Sequence, residues 1–332
     1  PFRDRHDSEA GVRWRTVEHY WQEGTCRVPA WTSYRQLDLE RLPHGPEFHE
    51  RANVPFRWRC EYRYTAPVID VDRFRRWYLE KISSRRLVRV VRSWDYPLSR
   101  EMASDDGRRA WQRLLSEEDV TSIVLCTGAG TVFQQLCDES ALPTEAVTFK
   151  KGVVARISAD VDREEPALLF HGGTFDRDAI CYVPHQRCIV LGGIVHDAAR
   201  FDRPTDWQVL PAERDGVLRR AEMFLPRQQR EKLAAAGLWD PRRSSDIQWR
   251  AGVRPMLSGC GPQVAEATEM SQQVSAWLDR KIEIIAHFGH GGSGFTLCHH
   301  TARRAVERVL GRERFVEAGG KLGRFNRLAN EN

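Results

Sequence analysis

Glycine residues are concentrated in one short stretch, residues 289–294, towards the end of this 332-residue sequence. An apolar run that starts at Ile282 precedes the stretch, and apolar residues at helical spacing follow it from Phe295. This pattern predicts a buried strand, a tight turn and a helix. Glycine lets a backbone approach a ligand closely, and a helix N-terminus offers free N–H groups and a positive dipole end. We therefore expect an anionic group at residues 291–296; the alternative is that the glycines only close a turn.

The same stretch satisfies the dinucleotide fingerprint G-x-G-x-x-G through Gly289, Gly291 and Gly294. That fingerprint belongs to the first βα turn of a βαβ unit, where an acidic residue follows about 20 positions later at the end of a second strand. No apolar run follows Leu310 in this sequence. We therefore interpret the stretch as a glycine loop of another kind.

Arg254 is the side chain with the clearest chemistry outside the glycine loop. It lies between Val253 and Pro255 in an apolar context, where a guanidinium is costly to bury unless it meets an anion. Its planar guanidinium can donate two parallel hydrogen bonds to one carboxylate. We predict that Arg254 binds a carboxylate. The alternative is an arginine that reaches the surface or pairs with Glu266 or Glu269.

Four elements, in order along the chain, resemble the FAD-dependent D-amino-acid oxidase family. The stretch I-I-A-H-F-G-H-G-G-S-G-F-T resembles the family's C-terminal signature, and A-G-V-R-P followed by G-P-Q-V resembles its G-x-R-P element. C-Y-V-P followed by I-V-L-G-G resembles its substrate-domain strand pair, and S-I-V-L-C-T-G resembles its strand beside FAD. Together these elements are far more specific than any one of them.

The resemblance implies FAD as cofactor and a small substrate that carries a carboxylate. The flavin ring would lie against residues 291–296, and the adenosine end would lie near residues 92–94 and 127–128. Arg254 would hold the substrate carboxylate with its αC–H aimed at the flavin, to which hydride is transferred before dioxygen takes the electrons. The residues expected to contact FAD are Gly289, His290, Gly291, Gly292, Ser293, Gly294, Phe295, Thr296, Arg92, Ser93, Trp94, Thr127 and Gly128.

The expected substrate pocket departs from the family's pattern. Cys181 stands where typical members have a tyrosine, and Tyr182, one residue on, faces the other side of the strand. The family's second pocket tyrosine falls near Arg177, which would favour a second anionic or polar group on the substrate. We take Arg254, Cys181, Tyr182 and Arg177 as the catalytic-site residues. Either the substrate is not an ordinary neutral D-amino acid, or the chain is a non-catalytic or partner-dependent flavoprotein subunit.

Composition narrows the possible functions. The formal charge of +5 comes mostly from arginines scattered among acids, which does not predict a nucleic-acid surface. No apolar run approaches the roughly 20 residues of a membrane helix, and no signal peptide is recognisable, so we expect a cytoplasmic protein without membrane contact. The eight cysteines lack C-x-x-C or paired Cys/His spacing, which predicts reduced, buried thiols, Cys126 among them, and no metal site.

Periodicity predicts a mixed α/β fold. Helices are expected at residues 12–21, 73–82, 213–225 and 227–236, and strands at 56–64, 87–91, 123–126, 153–157, 167–170, 180–183 and 189–194. We predict an incomplete Rossmann-like FAD-binding domain (67–135 and 278–332) interleaved with an antiparallel β substrate and interface domain (1–66 and 136–277).

The family's first βαβ unit has no counterpart in residues 1–66, and the sequence begins with Pro1 rather than methionine. Without that unit, the strands at 87–91 and 123–126 would expose apolar faces and lack a partner strand. We therefore expect a separate polypeptide that carries G-x-G-x-x-G and completes the sheet. It would be the N-terminal piece of a cleaved precursor or a small partner subunit.

Overall fold

The structure is a computed structural model. It describes residues 9–22, 39–42, 47–48, 58–84, 105, 108–109, 112–113, 115, 120–126, 147–171, 180–197, 208–240, 247–257, 263–266, 268–288, 290 and 294–311. The chain divides into two compact units, each built from several segments. The first unit comprises 1–92, 151–196 and 207–252, and the second comprises 93–150, 197–206 and 253–332. The functional domain boundaries drawn from the sequence stay a prediction.

Twelve strands and five helices have assigned bounds within the described residues. The strands are β1 (Val12–Gln22), β2 (Glu40–Arg41), β3 (Glu47–Phe48), β4 (Trp58–Ile69), β5 (Ser122–Leu125), β6 (Val147–Ser158), β7 (Ala167–His171), β8 (Ile180–Pro184), β9 (Cys188–Asp197), β10 (Ile247–Leu257), β11 (Gln263–Glu266) and β12 (Glu283–Phe288). The helices are α1 (Val71–Ser83), α2 (Pro211–Phe224), α3 (Arg227–Ala235), α4 (Thr268–Leu278) and α5 (Gly294–Val309). No helix of the described residues is long and apolar enough to cross a membrane.

A nine-stranded sheet forms the larger part of the described structure. Its strand order is β10-β6-β9-β8-β7-β1-β4-β2, and β3 pairs with β4. The pairs β1–β4, β7–β8 and β8–β9 are antiparallel, whereas β1 and β7 are parallel. The predicted fold class, mixed α/β with a large antiparallel sheet, is confirmed. The predicted strands that correspond to β4 and β6–β9 are confirmed as well, together with helices α1, α2 and α3.

Helices α2 and α3 cover one face of this sheet and enclose the main core. The sheet contributes Phe170, Ile189 and Leu191, and the helices contribute Phe224 and Leu233; all five side chains are buried. Burying one side chain of this size stabilises the fold by roughly 1.5–3 kcal/mol. The core therefore fixes which face of each strand points towards the helices.

The helix predicted at residues 12–21 is wrong, because this segment is strand β1. It pairs with β4 along its whole length, from Val12 with Ile69 to Gln22 with Trp58. Arg15, which the helical interpretation leaves on a polar face, is only 4% exposed and donates hydrogen bonds to backbone carbonyls of residues 162, 163 and 165. Pairing with sequence-distant strands overrides the local periodicity.

The second unit contains a smaller sheet with the order β11-β12-β5. Strands β12 and β5 run parallel in the register Glu283 with Ser122 to Ala286 with Leu125, and β11 is antiparallel to β12. Helix α5 packs on β12 through Ala305 and Ile285. The strand and the helix predicted on either side of the glycine stretch are confirmed as β12 and α5, and they are consistent with a partial FAD-binding fold. The incomplete Rossmann-like topology stays a prediction.

Candidate active site

The carboxyl ends of β5 and β12 lie at the same edge of the small sheet, because the two strands are parallel. Ligands of α/β sheets bind outside the carboxyl ends of the strands. Helix α5 begins at Gly294, six residues after the end of β12, so its N-terminal backbone N–H groups follow the glycine loop directly. This edge is therefore the position in the second unit at which a phosphate or flavin group is best accommodated.

The predicted cofactor residues are only partly described. His290 is described in full, while Gly294, Phe295 and Thr296 are described as the first residues of α5. The remaining ones lie outside the described residues: Gly289, Gly291, Gly292, Ser293, Arg92, Ser93, Trp94, Thr127 and Gly128. Their contacts with FAD stay a prediction.

Cys126 and His287, which the sequence analysis did not place in the site, lie at the same edge together with His290. The Cys126 sulfur is 3.4 Å from His287 Nδ1, and the His287 and His290 rings meet edge to face with centroids 4.6 Å apart. His290 Nε2 is 2.8 Å from Thr301 Oγ1, which donates in turn to the backbone carbonyl of Cys298. The sequence does contain a signal for this group: Cys126 follows β5 directly and His287 is near the end of β12, so parallel pairing of the two strands brings both residues to one edge.

The prediction that Cys126 is a buried thiol is wrong. Its side chain is exposed, because it is the first residue beyond the pairing of β5 with β12. The other described cysteines are also free thiols, of which Cys60 and Cys188 are buried. Within the described residues, no three His, Cys, Asp or Glu side chains are grouped closely enough to hold a metal ion.

Arg254 lies on β10, in the part of that strand that belongs to the second unit. Its side chain is half-buried, and it makes no ion pair with any residue in the described ranges. The structure describes the backbone of Glu266 and Glu269, its alternative partners, but not their side chains. Carboxylate binding by Arg254 therefore stays a prediction.

Cys181 and Tyr182 point to opposite faces of β8 in the first unit. Cys181 is half-buried and pairs with Leu169 on one side and Gly192 on the other. Tyr182 is fully buried in the core, and its hydroxyl donates to Glu165, whose other carboxylate oxygen pairs with Lys232. Tyr182 thus has a structural partner on the core face, away from Cys181. Arg177 lies outside the described residues.

Gly192 makes room for the Cys181 side chain. A Cβ atom at position 192 would lie 2.8 Å from Val154 Cγ1 and 3.2 Å from the Cys181 sulfur, both of which are closer than ordinary contacts. The face of the sheet opposite the helices is therefore shaped around a small side chain at position 181. A tyrosine ring at that position would need more space than the thiol occupies.

A parallel strand, a glycine-rich stretch and a helix, in a chain that also folds a large antiparallel sheet, fit the architecture of flavin-dependent oxidoreductases. The family model of FAD dependent oxidoreductases, DAO, matches residues 28–308, and the chain belongs to this family. The resemblance drawn from the four sequence elements is confirmed at the level of the family. No curated protein sequence matches the chain.

Similar solved structures are flavin oxidases, at low identity. Glycine oxidase from Bacillus cereus is 14% identical with a TM-score of 0.39, and the match covers 58% of this chain and 43% of that protein. Glycine oxidase from Geobacillus kaustophilus is 16% identical with a TM-score of 0.39, and the match covers 60% and 44%. Iminodiacetate oxidase from Chelativorans sp. is 17% identical with a TM-score of 0.38, and the match covers 60% and 45%. The chain spans less than half the length of each.

The described residues at the carboxyl edge fit FAD, the cofactor of this family. Helix α5 presents its first backbone N–H groups there, which suit an anionic or electron-rich group. His287 Nε2 is shielded from solvent and has no hydrogen-bond partner within the described residues. A ligand rich in acceptor atoms, as FAD is, suits a site that combines these donors.

Proposed function

We propose that the chain is the substrate-binding and flavin-contacting part of an FAD-dependent oxidase that acts on an amino or imino acid with a carboxylate. The observation that carries the proposal is the carboxyl edge of β5 and β12, where a glycine loop and the start of α5 follow a buried parallel strand. Family membership over residues 28–308 supports the choice of FAD. FAD, when bound, supplies a two-electron acceptor that takes hydride from the substrate αC–H and passes the electrons to dioxygen, which yields peroxide.

The chain's own residues orient the substrate and shape its surroundings. Arg254 holds the carboxylate through two charge-assisted hydrogen bonds, which fixes the direction of the αC–H. The first turn of α5 offers backbone N–H groups to the negative charge that develops. Cys181 leaves more space than a tyrosine, so the pocket accepts a substrate that is not an ordinary neutral D-amino acid. Arg177 favours a second anionic or strongly polar group on that substrate.

A non-catalytic or partner-dependent flavoprotein subunit is the second candidate function. The observation in its favour is on β8, because Tyr182 is committed to Glu165 in the core and Cys181 offers no ring or phenolic hydroxyl to a substrate. Such a subunit would retain the fold and the flavin without turnover. Arg254 and the glycine loop favour the oxidase.

Absorption spectroscopy distinguishes the two candidates. Protein purified with excess FAD is expected to retain the flavin absorption at about 450 nm, which bleaches anaerobically when a true substrate is added. The substrate panel contains amino and imino acids with one or two carboxylates, and D-alanine serves as the ordinary neutral D-amino acid. Retained flavin that no compound bleaches supports the non-catalytic subunit. Loss of all flavin from protein that includes the polypeptide completing its sheet contradicts both candidates, and brisk oxidation of D-alanine contradicts the assignment of the Cys181 face.

A separate polypeptide with the G-x-G-x-x-G unit is part of the same proposal. Strand β5 lies at an edge of the described three-stranded sheet, and its Val124 is 39% exposed, so a further strand would cover apolar surface there. Intact-mass measurement of active material is expected to show a second species. A single species of this chain's mass that binds FAD tightly would contradict the idea.

A cytoplasmic location, supported by the free thiols of the described cysteines, completes the proposal.

A further inference from the structure

Cys126 and His287 form a thiol–imidazole pair at the carboxyl edge of the small sheet, and neither residue has a role in the function proposed above. Cys126 follows the last residue of β5, and His287 lies on β12, next to the residue that pairs with Leu125. The sulfur and Nδ1 are 3.4 Å apart, within hydrogen-bond distance for a thiol. The pair belongs entirely to the second unit.

The direction of this hydrogen bond follows from the protonation states of its two partners. Partial burial, with a smaller contribution from His290, lowers the pKa of His287, and desolvation raises the pKa of the Cys126 thiol even though its side chain reaches solvent. At neutral pH the imidazole is therefore uncharged and the thiol keeps its proton. A thiol sulfur is a poor acceptor and a neutral imidazole nitrogen is a good one, so the better arrangement has S–H donating to Nδ1, which places the imidazole proton on Nε2.

The Nε2–H group of His287 needs an acceptor. The nitrogen is shielded from solvent, and no acceptor for it lies within the described residues. His290 does not supply one, since its ring meets His287 edge to face and its own Nε2 is bonded to Thr301. A buried donor without an acceptor is unfavourable, so the group is expected to bond when the site is complete. Phosphate oxygens, ribityl hydroxyls and ring carbonyls of FAD are all suitable acceptors.

We propose that Cys126 and His287 are a positioning pair for FAD, in which the thiol holds the imidazole in the Nε2–H tautomer and Nε2–H donates to an acceptor atom of the cofactor. This inference rests on the proposed function, because it requires FAD at the carboxyl edge of β5 and β12. The structural alternative is that Nε2–H donates to a backbone carbonyl of the chain. The two differ in whether the histidine affects cofactor affinity or only folding.

Cofactor affinity is the first test, measured by fluorescence titration of the full chain with FAD. His287→Phe is expected to weaken FAD binding about tenfold, because one buried hydrogen bond is lost. His287→Gln, whose amide can still donate from a similar position, should recover most of that loss. His300→Phe is the matched control, since His300 is an exposed histidine on α5. Unfolding by urea is measured in parallel, so that a folding defect is recognised.

The tautomer is tested without relying on activity, by 15N NMR of histidine-labelled chain. His287 is expected to show an unprotonated Nδ1 and a protonated Nε2 before FAD is added, and the Nε2–H resonance should shift on titration while that of His300 does not. Cys126→Ser should preserve this tautomer, and Cys126→Ala should lose the preference and weaken FAD binding by a few-fold.

The outcomes separate this inference from the proposed function. Failure of the wild-type chain to bind FAD, when the polypeptide that completes its sheet is present, defeats the proposed function and the positioning pair together. Wild-type affinity for FAD in His287→Phe, or an Nδ1–H tautomer in the wild type, overturns the positioning pair alone. If His287→Phe lowers the stability of the fold but leaves the affinity for FAD unchanged, His287 Nε2–H donates to a backbone carbonyl instead.

Discussion

Adjacent residues on one strand have different surroundings, and these surroundings decide what each can do. Tyr182 is fully buried, and its hydroxyl donates a hydrogen bond to Glu165, so burial and the neighbouring carboxylate raise the pKa of the phenol above its ordinary range. Cys181 lies on the other face, in a space that Gly192 keeps open. The chemistry available to a substrate at this strand is therefore that of a thiol.

Replacing Gly192 tests how closely this face is packed. Gly192→Ala places a methyl group 2.8 Å from Val154 Cγ1 and is expected to lower the free energy of unfolding by about 1–3 kcal/mol, as measured in urea. Val154→Ala removes the clashing methyl group, so the double variant should recover part of the loss. Additive effects in the double variant would show that the strain arises elsewhere.

Replacing Arg254 should impair substrate binding and turnover while leaving the fold intact. Arg254→Leu is expected to lower kcat/KM by a factor that corresponds to about 3 kcal/mol or more, because two charge-assisted bonds to the carboxylate are lost, while FAD stays bound. Arg250→Leu on the same strand is the control, since Arg250 is exposed and pairs with Asp72. Loss of folding or of flavin without a selective kinetic effect would favour a structural role for Arg254.

At the scale of elements, one buried ion pair connects β6 to the start of α2. Lys151 Nζ lies 2.9 Å from Glu213 Oε1, and both side chains are almost fully buried. Glu213 also accepts the backbone N–H of Leu210 at 2.7 Å, and Lys151 donates to the carbonyl of Gln208. The pair therefore stabilises the segment that leads into the helix covering the core.

Breaking this pair should be far more costly than breaking an exposed one. Lys151→Met leaves an uncompensated buried carboxylate and is expected to destabilise the protein by about 3–5 kcal/mol in urea unfolding. The matched control is Arg227→Met on α3, whose ion pair with Glu231 is largely exposed and contributes roughly 0.3–0.5 kcal/mol. Equal effects of the two substitutions would contradict the burial argument.

At the scale of the whole molecule, buried histidines should make stability depend on pH. Burial lowers the pKa of His19 to about 3 and the pKa values of His171 and His185 to about 4, from an ordinary value of 6.5. The unfolded chain binds these protons at a higher pH than the folded chain does. The contribution of these histidines to the free energy of unfolding is therefore fully present above pH 6.5, and it is lost as the pH falls from there towards 4.

Each such histidine contributes at most about 1.4 kcal/mol per pH unit across that window. Urea unfolding at pH 7, 6 and 5 should therefore show a falling free energy of unfolding. His185→Gln should make this dependence shallower, whereas His300→Gln, at an exposed position, should leave it unchanged. Equal stability at pH 7 and 5 would contradict the burial of neutral imidazoles.

Local sequence signals were sufficient wherever an element's own residues determine it. Asp70 accepts the backbone N–H of Arg73 and caps α1, as its position before an amphipathic run indicates. Pro226 separates α2 from α3 because proline cannot continue a helix. The glycine loop before α5 was equally recognisable, since the apolar pattern changes from strand to helix on either side of it.

The sequence by itself determined the family, the order of strand, glycine loop and helix, and the candidate roles of Arg254 and the glycine loop, because short motifs carry that information. Only the tertiary structure decided that residues 12–22 form a strand, since β4 and β7 supply its hydrogen bonds from distant parts of the chain. The same holds for Cys126 and His287. They are 161 positions apart, and only the parallel register of β5 and β12 brings the thiol and the imidazole together.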